Sequence, residues 1–168
     1  LSGDVVSATY IRMTLALMQK GGIELTFDGR EIFIREGTYN FDNFVVESDW
    51  SAASYWYQLA ALKPGSVITL PRLGPDSLQG DAVLVKLFGP LGVESHFENN
   101  SLIVSSGAKE GPDLFEYDFT GCPDLTQTLA VTLCAMGLAF KFTGTRTLRV
   151  KETDRVAALQ AELGKFGF

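Results

Sequence analysis

Thr147-Leu148-Arg149-Val150-Lys151-Glu152-Thr153-Asp154-Arg155 packs three cations and two carboxylates into the seven positions from Arg149 to Arg155, between a strand-like run and a helix-like run. A helix starting near Lys151 would place Lys151 and Arg155 four residues apart on one side, bordering an apolar stripe of Val156, Leu159, Leu163 and Phe166. Cations at a helix start oppose the macrodipole at a cost of roughly 0.3–1 kcal/mol each. A bound phosphate or carboxylate would reverse that cost, because free backbone N–H groups and both side chains would hold it together. The competing reading is a solvated face on which Glu152 and Asp154 neutralise their neighbours.

Working outward, glycines divide the chain. A helix pattern over Ala8 to Lys20 stops at Gly21-Gly22, and strand-like runs near Ile23 to Phe27 and Glu31 to Arg35 flank Asp28-Gly29, a hairpin signal. Phe41 to Glu47 reads as a strand, Trp50 to Leu62 as an apolar helix stopped by Lys63-Pro64-Gly65, and Val67 to Leu70 as a strand. A helix from Gln79 to Leu91 ends at Gly92. A second hairpin, Val93 to Phe97 and Ser101 to Ser105, turns at Asn99-Asn100. The order then restarts with a strand at Leu114 to Phe119, a helix at Pro123 to Met136, a strand at Ala139 to Thr143, and the motif helix running to Gly167. Gly22, Gly92 and Gly167 are spaced by 70 and 75 residues, each followed by an apolar residue, which indicates an internal repeat. One unit is complete, one is a tail and one stops two strands short. With Leu1 at the start and Phe168 directly after a helix-ending glycine, both ends read as cut from something longer.

A chain of 168 residues with 46% hydrophobic content can bury about two-thirds of its unfolded surface. A net charge of −6 argues against nucleic acid or an anionic membrane as the main partner, and the cations of the run from Arg149 to Arg155 would supply a local site for a small anion. There is no apolar stretch approaching about 18 residues and no signal-peptide pattern, so the expected location is cytoplasmic. Cys122 and Cys134 lack the spacing of a zinc site or a disulfide scaffold and are expected to be reduced; the single histidine, His96, reads as a strand residue. His96 has no second histidine or cysteine nearby to make a metal site.

The run Arg149-Val150-Lys151-Glu152-Thr153-Asp154-Arg155 resembles the signature of the 5-enolpyruvylshikimate-3-phosphate synthase family. The likeness continues through Ser7 and Tyr10, Glu47-Ser48-Asp49-Trp50-Ser51-Ala52-Ala53-Ser54-Tyr55, Ser77-Leu78-Gln79-Gly80-Asp81 and Cys122-Pro123-Asp124. It implies an α/β (α+β) fold of repeated βαβαββ units, with helices packed inside and sheets outside, in a parent roughly two and a half times this length. Residues 1–47 would be the tail of one domain and residues 48–168 part of the next.

The same resemblance implies an enzyme moving the enolpyruvyl group of phosphoenolpyruvate to the 5-hydroxyl of shikimate 3-phosphate, monomeric and cofactor-free. The isolated chain would be inactive. Asp124, whose simplest reading is a first-turn carboxylate on a helix dipole, becomes the proton acceptor for the attacking hydroxyl. Lys151 would sit between the shikimate phosphate and the reacting centre, and Arg155 would grip phosphoenolpyruvate with its planar fork. Glu152 would either exchange protons with the enolpyruvyl carbon or simply pair with Arg155, while Arg149 and Asp154 would fix the motif's orientation. Ser7 and Tyr10 match a shikimate-phosphate contact and its aromatic neighbour. Two departures stand out: Ala8-Thr9 replaces a frequent Lys-Pro pair, and Thr147 replaces an amide residue. Asp49 reads as a helix cap. Two other readings are a UDP-sugar enolpyruvyl transferase, against which the intact Lys-Glu-Thr-Asp-Arg run speaks, and a non-catalytic repeat domain.

Overall fold

Glycine conformation carries the repeat into three dimensions. In the computed structural model, which describes residues 1–3, 5, 8–108 and 110–168, Gly22, Gly92 and Gly167 all have left-handed backbones, with φ of 87°, 84° and 86°. A Cβ is disfavoured there, so each position ends a helical segment. Helix α1 (Ala8–Lys20) leads through Gly22 into the hairpin β1 (Leu25–Phe27) and β2 (Ile32–Ile34). After α2 (Trp50–Leu62) and β3 (Val67–Pro71), a short helix α3 (Leu84–Phe88) leads through Gly92 into the hairpin β4 (Val93–Glu98) and β5 (Ser101–Ser106). Asn99 and Asn100 form that hairpin's turn with φ of 50° and 57°, as a two-residue turn matching strand twist requires. β6 (Leu114–Asp118), α4 (Thr126–Ala135), β7 (Ala139–Thr143) and α5 (Arg155–Gly164) complete the chain.

β5 lies between β3 and β4, antiparallel to both, and β6 pairs in parallel with β7 through the α4 crossover. The strands bury one face and expose the other, which puts the core between sheets and helices. Trp50 and Tyr57 of α2, Leu84 and Phe88 of α3, Leu102 of β5, and Phe119, Leu125, Leu129 and Leu133 around α4 are fully buried. Each contributes about 1.5–3 kcal/mol. α2 and α4 also meet through polar groups: Ser54 Oγ and Thr128 Oγ1 are 2.8 Å apart, and Gln58 Nε2 donates to Thr132 Oγ1 at 3.3 Å. The expected mixed fold of helices and sheets is therefore present. Burial of the helices is one-sided in this chain, because α2 leaves Tyr55, Trp56, Leu59 and Leu62 exposed.

Four expectations are corrected. Phe41 to Glu47 is not a strand: Tyr39 stacks on Phe41, Phe44 meets Phe41 edge-on, and Phe41 and Tyr39 lie so close to Gly21 that a Cβ there would meet them at 2.7 and 2.8 Å. Its aromatic residues are thus spent on a ring cluster. The expected Gln79–Leu91 helix is broken into 3-10 turns at Gly80–Val83 and Gly89–Leu91 around α3, with Pro90 at the start of the second turn. Pro123 likewise starts a 3-10 turn, Pro123–Leu125, ahead of α4. The motif helix begins at Arg155 rather than near Lys151, because Asp154 is its cap and accepts from Ala157 N at 3.0 Å, while Lys151 is extended. Along it Val156, Leu159 and Leu163 are half-buried, but Phe166 is 78% exposed.

The expected cap at Asp49 and the strand position of His96 are present. Asp49 caps α2, accepting from Ser51 N at 2.8 Å and Ala52 N at 3.3 Å. Asp49→Ala is therefore expected to destabilise the fold by about 1 kcal/mol, read by urea unfolding; an unchanged midpoint would mean water satisfies those N–H groups equally well. His96 lies in β4 opposite Ile103. Cys122 and Cys134 are free thiols. Among the described residues no helix is long and apolar enough to cross a membrane, and no group of histidine, cysteine and carboxylate side chains is arranged to hold a metal ion.

Candidate active site

Asp124 is the point on which the motif's cations converge. It occupies the Pro123–Leu125 turn, whose entry is set by Asp118: that side chain accepts from Thr120 N at 2.9 Å and Thr120 Oγ1 at 2.6 Å. On the opposing side, Leu148 is fully buried and pins the 3-10 segment Arg146–Val150, from which Lys151 emerges. Arg155 stands at the first position of α5.

Tyr10 Oη donates to Asp124 Oδ2 at 3.0 Å, Arg155 Nη1 to Asp124 Oδ1 at 2.9 Å, and Lys151 Nζ to the same oxygen at 3.3 Å. Only 17% of the Asp124 side chain is exposed. Burial opposes its ionisation, but the hydrogen bonds from Tyr10 and Lys151 and the charges of Lys151 and Arg155 outweigh burial and hold the carboxyl below its ordinary range. The Tyr10 hydroxyl is pushed up to about 12 by burial and by its bond to Asp124, so it remains a donor at neutral pH.

Glu152 forms the other arm of the cluster. Its Oε1 accepts from Arg155 Nε at 3.0 Å and Nη2 at 2.6 Å, and its side chain is 67% exposed. Glu152 is held below its usual range by a bond from its own backbone N–H and by the Arg155 guanidinium. Arg149 donates to Asp154 Oδ2 at 3.1 Å. Lys151 and Arg155 thus meet as expected, but through contact with a shared carboxylate and not along one helix face.

The pairing has a chemical consequence. The Arg155–Glu152 contact is solvent-screened, so exchanging it for a phosphate or carboxylate costs little. The Arg155–Asp124 contact is sheltered, and it helps keep Asp124 ionised. A carboxylate base next to exchangeable cations suits proton removal from a hydroxyl on an anionic substrate.

Of the expected site residues, Tyr10, Asp124, Lys151, Glu152 and Arg155 come together. Ser7 lies outside the described residues. Gln127 had not been singled out from the sequence. With its amide oxygen turned toward Arg155, it accepts from Nη1 at 3.0 Å and donates to Asp124 O at 3.1 Å. Its spacing of three from Asp124 at a helix start was the available signal. Thr9, at one of the departures from the family pattern, donates to Gly121 O at 3.2 Å and so ties α1 to the Asp124 turn.

These features define an α/β protein of repeated helix-and-sheet units with a carboxylate held among cations where separate segments meet. The family model described as EPSP synthase (3-phosphoshikimate 1-carboxyvinyltransferase) matches residues 1–168, and the chain belongs to that family. It is 40% identical over 169 residues to the 3-phosphoshikimate 1-carboxyvinyltransferase of Bacteroides fragilis strain YCH46, covering 100% of this chain and 41% of that protein. The corresponding proteins of Syntrophobacter fumaroxidans and Methanospirillum hungatei JF-1 are 39% identical over 166 residues and 34% over 176, with 97% and 99% of this chain and 38% and 40% of theirs covered. The chain spans about two-fifths of the length of these relatives.

Proposed function

We propose that a polypeptide of full family length containing this segment transfers the enolpyruvyl group from phosphoenolpyruvate to the 5-hydroxyl of shikimate 3-phosphate and releases phosphate. The observation that carries this reading is the convergence of Tyr10, Lys151 and Arg155 on Asp124 within a chain belonging to this family. Asp124 takes the proton of the attacking hydroxyl as its oxygen bonds to C2 of phosphoenolpyruvate. Lys151 and Arg155 balance the charges of the two polyanions. With phosphoenolpyruvate in its place on Arg155, Glu152 regains the ordinary proton affinity of a carboxylate, takes a proton from water, delivers it to the adjacent methylene carbon to complete a tetrahedral adduct and recovers it as phosphate leaves, while Asp124 passes the hydroxyl proton to the departing phosphate. Holding both anions in register supplies much of the rate.

The division proposed is residues 1–47 as the tail of one domain and residues 48–168 as part of the next, with Tyr10 reaching across to Asp124. The exposed apolar face of α2 supports further units covering it in the longer protein. A cytoplasmic monomer with small anionic substrates and no nucleic-acid or membrane partner fits the net charge of −6 and the local cations. Phosphate release from phosphoenolpyruvate that depends on shikimate 3-phosphate, measured on the full-length protein, tests the reading; no dependence rejects it.

The isolated chain is expected to bind shikimate 3-phosphate weaker than micromolar, because it spans about two-fifths of the length of its relatives and would carry only part of the phosphate contacts. Isothermal titration checks this, and a micromolar dissociation constant would show that this segment alone holds a sufficient phosphate site.

A further inference from the structure

Asp124 poses a problem as a proton acceptor. Three donors rest on its carboxylate, and each weakens it as a base. A nearby negative charge would restore its proton affinity. Asp81 lies in the Ser77-Leu78-Gln79-Gly80-Asp81 stretch, which the chemistry above leaves unused.

The packing holds Asp81 in place. A Cβ on Gly80 would stand 2.8 Å from Gly121 O and 3.0 Å from Thr9 Cβ, so only glycine lets this stretch wedge between α1 and the turn that carries Asp124. The stretch is clamped from its other side by Gln79, which donates to Ser48 O at 2.8 Å and accepts from Trp50 N at 2.9 Å, and by Ser77, which donates to Glu47 at 2.7 Å. Asp81 itself is 7% exposed and accepts from Ser51 Oγ at 2.5 Å. It shares the wall of a cavity with Tyr10, Asp49 and Ser51, and Tyr10 is the residue that bonds Asp124.

We infer that Asp81 is a positioning residue of this site: ionised, it acts through Asp124 by holding a second negative charge beside it, so that Asp124 accepts a proton more readily than its own donors would allow. The inference rests on Asp124 being the proton acceptor. Along the same cavity wall as Asp81 lie Tyr10 from α1 and Asp49 and Ser51 from the start of α2, and the charges of Asp124 and Lys151 and the Cys122 thiol are near enough to act on it. Burial raises the Asp81 carboxyl above its ordinary range; Ser51 opposes this, the charges of Asp124 and Asp49 add to it, and Lys151 opposes it. An acid whose folded-state pKa is raised destabilises the fold once ionised, so a purely structural role would be served at least as well by asparagine.

The test uses the full-length protein and two readouts. Asp81→Asn keeps shape and an acceptor for Ser51. It is expected to lower kcat about tenfold at neutral pH with both KM values nearly unchanged, and to abolish the part of the acid limb of kcat that Asp81 titration produces. Ser51→Ala, which removes a bond to the charged form, is expected to move that limb to higher pH, and this arm decides if Asp81→Asn does not fold. Independently of turnover, the 13C resonance of the Asp81 carboxyl should titrate above the usual range and move down in Asp124→Asn. A folded Asp81→Asn with wild-type turnover and pH profile overturns the inference, as does an Asp81 titration unmoved by Asp124→Asn. If the titration moves but the protein transfers no enolpyruvyl group, the coupling stands and the functional reading fails.

Discussion

Asp124→Asn in the full-length protein is expected to lower turnover about 10²–10⁴-fold while leaving shikimate 3-phosphate binding nearly intact. Asparagine keeps the side-chain shape; its one amide oxygen, turned toward Arg155, still accepts the 2.9 Å contact, and its NH2 can donate to the Tyr10 hydroxyl in place of the contact that Asp124 accepts at 3.0 Å. What it loses is the ability to take up a proton as the carbon–oxygen bond forms. Steady-state kinetics with a separate equilibrium measurement of shikimate 3-phosphate affinity distinguishes the two effects. Turnover within about threefold of wild type corresponds to well under 1 kcal/mol and would return Asp124 to the role of a carboxylate that orders the cations around it.

Arg155→Lys is expected to weaken phosphoenolpyruvate binding about ten- to a hundredfold although the charge is conserved. The guanidinium spans Asp124 through Nη1 and Glu152 through Nε and Nη2, and Gln127 supports it through Nη1. A single ammonium cannot hold Asp124 and present a planar fork to an anion at the same time. The Michaelis constant for phosphoenolpyruvate at saturating shikimate 3-phosphate, together with a melting curve to check folding, reads the effect. An unchanged constant in a folded variant would leave Arg155 as a neutraliser of Asp124 and Glu152 only.

Much of this architecture is encoded locally. Trp50 to Leu62 is a helix because its apolar residues recur at helical spacing, Asp49 supplies a cap and Lys63-Pro64-Gly65 stops it, all interactions within a few residues. The Asn99-Asn100 and Asp28-Gly29 turns, and the glycines at 22, 92 and 167, follow from backbone preferences that each residue carries by itself. The members of the candidate site were also legible in part: Tyr10, Asp124, Lys151, Glu152 and Arg155 stand out by the wording of the motifs, and the fold brings them together.

Tertiary structure decided where competing local signals went and which charges met. The apolar and β-branched residues of Phe41 to Glu47 suit a strand, yet a strand needs a partner to satisfy its backbone, and here the rings of Tyr39 and Phe41 pack against Gly21 with Phe44 edge-on to Phe41 instead. Spacing of four between Lys151 and Arg155 predicted a shared helix face. Capping by Asp154 starts the helix later, and the two cations meet only because Asp124, distant in the chain, is brought beneath them. The place of Asp81 depends on the absence of a side chain at Gly80, through contacts with Thr9 and Gly121 that no short-range pattern encodes. Sequence determined by itself the helices, turns, repeat spacing and chemical inventory, because those depend on neighbours along the chain; which carboxylate each cation faces, and how deeply Asp81 and Asp124 are buried, depended on long-range packing and so were decided only by the fold.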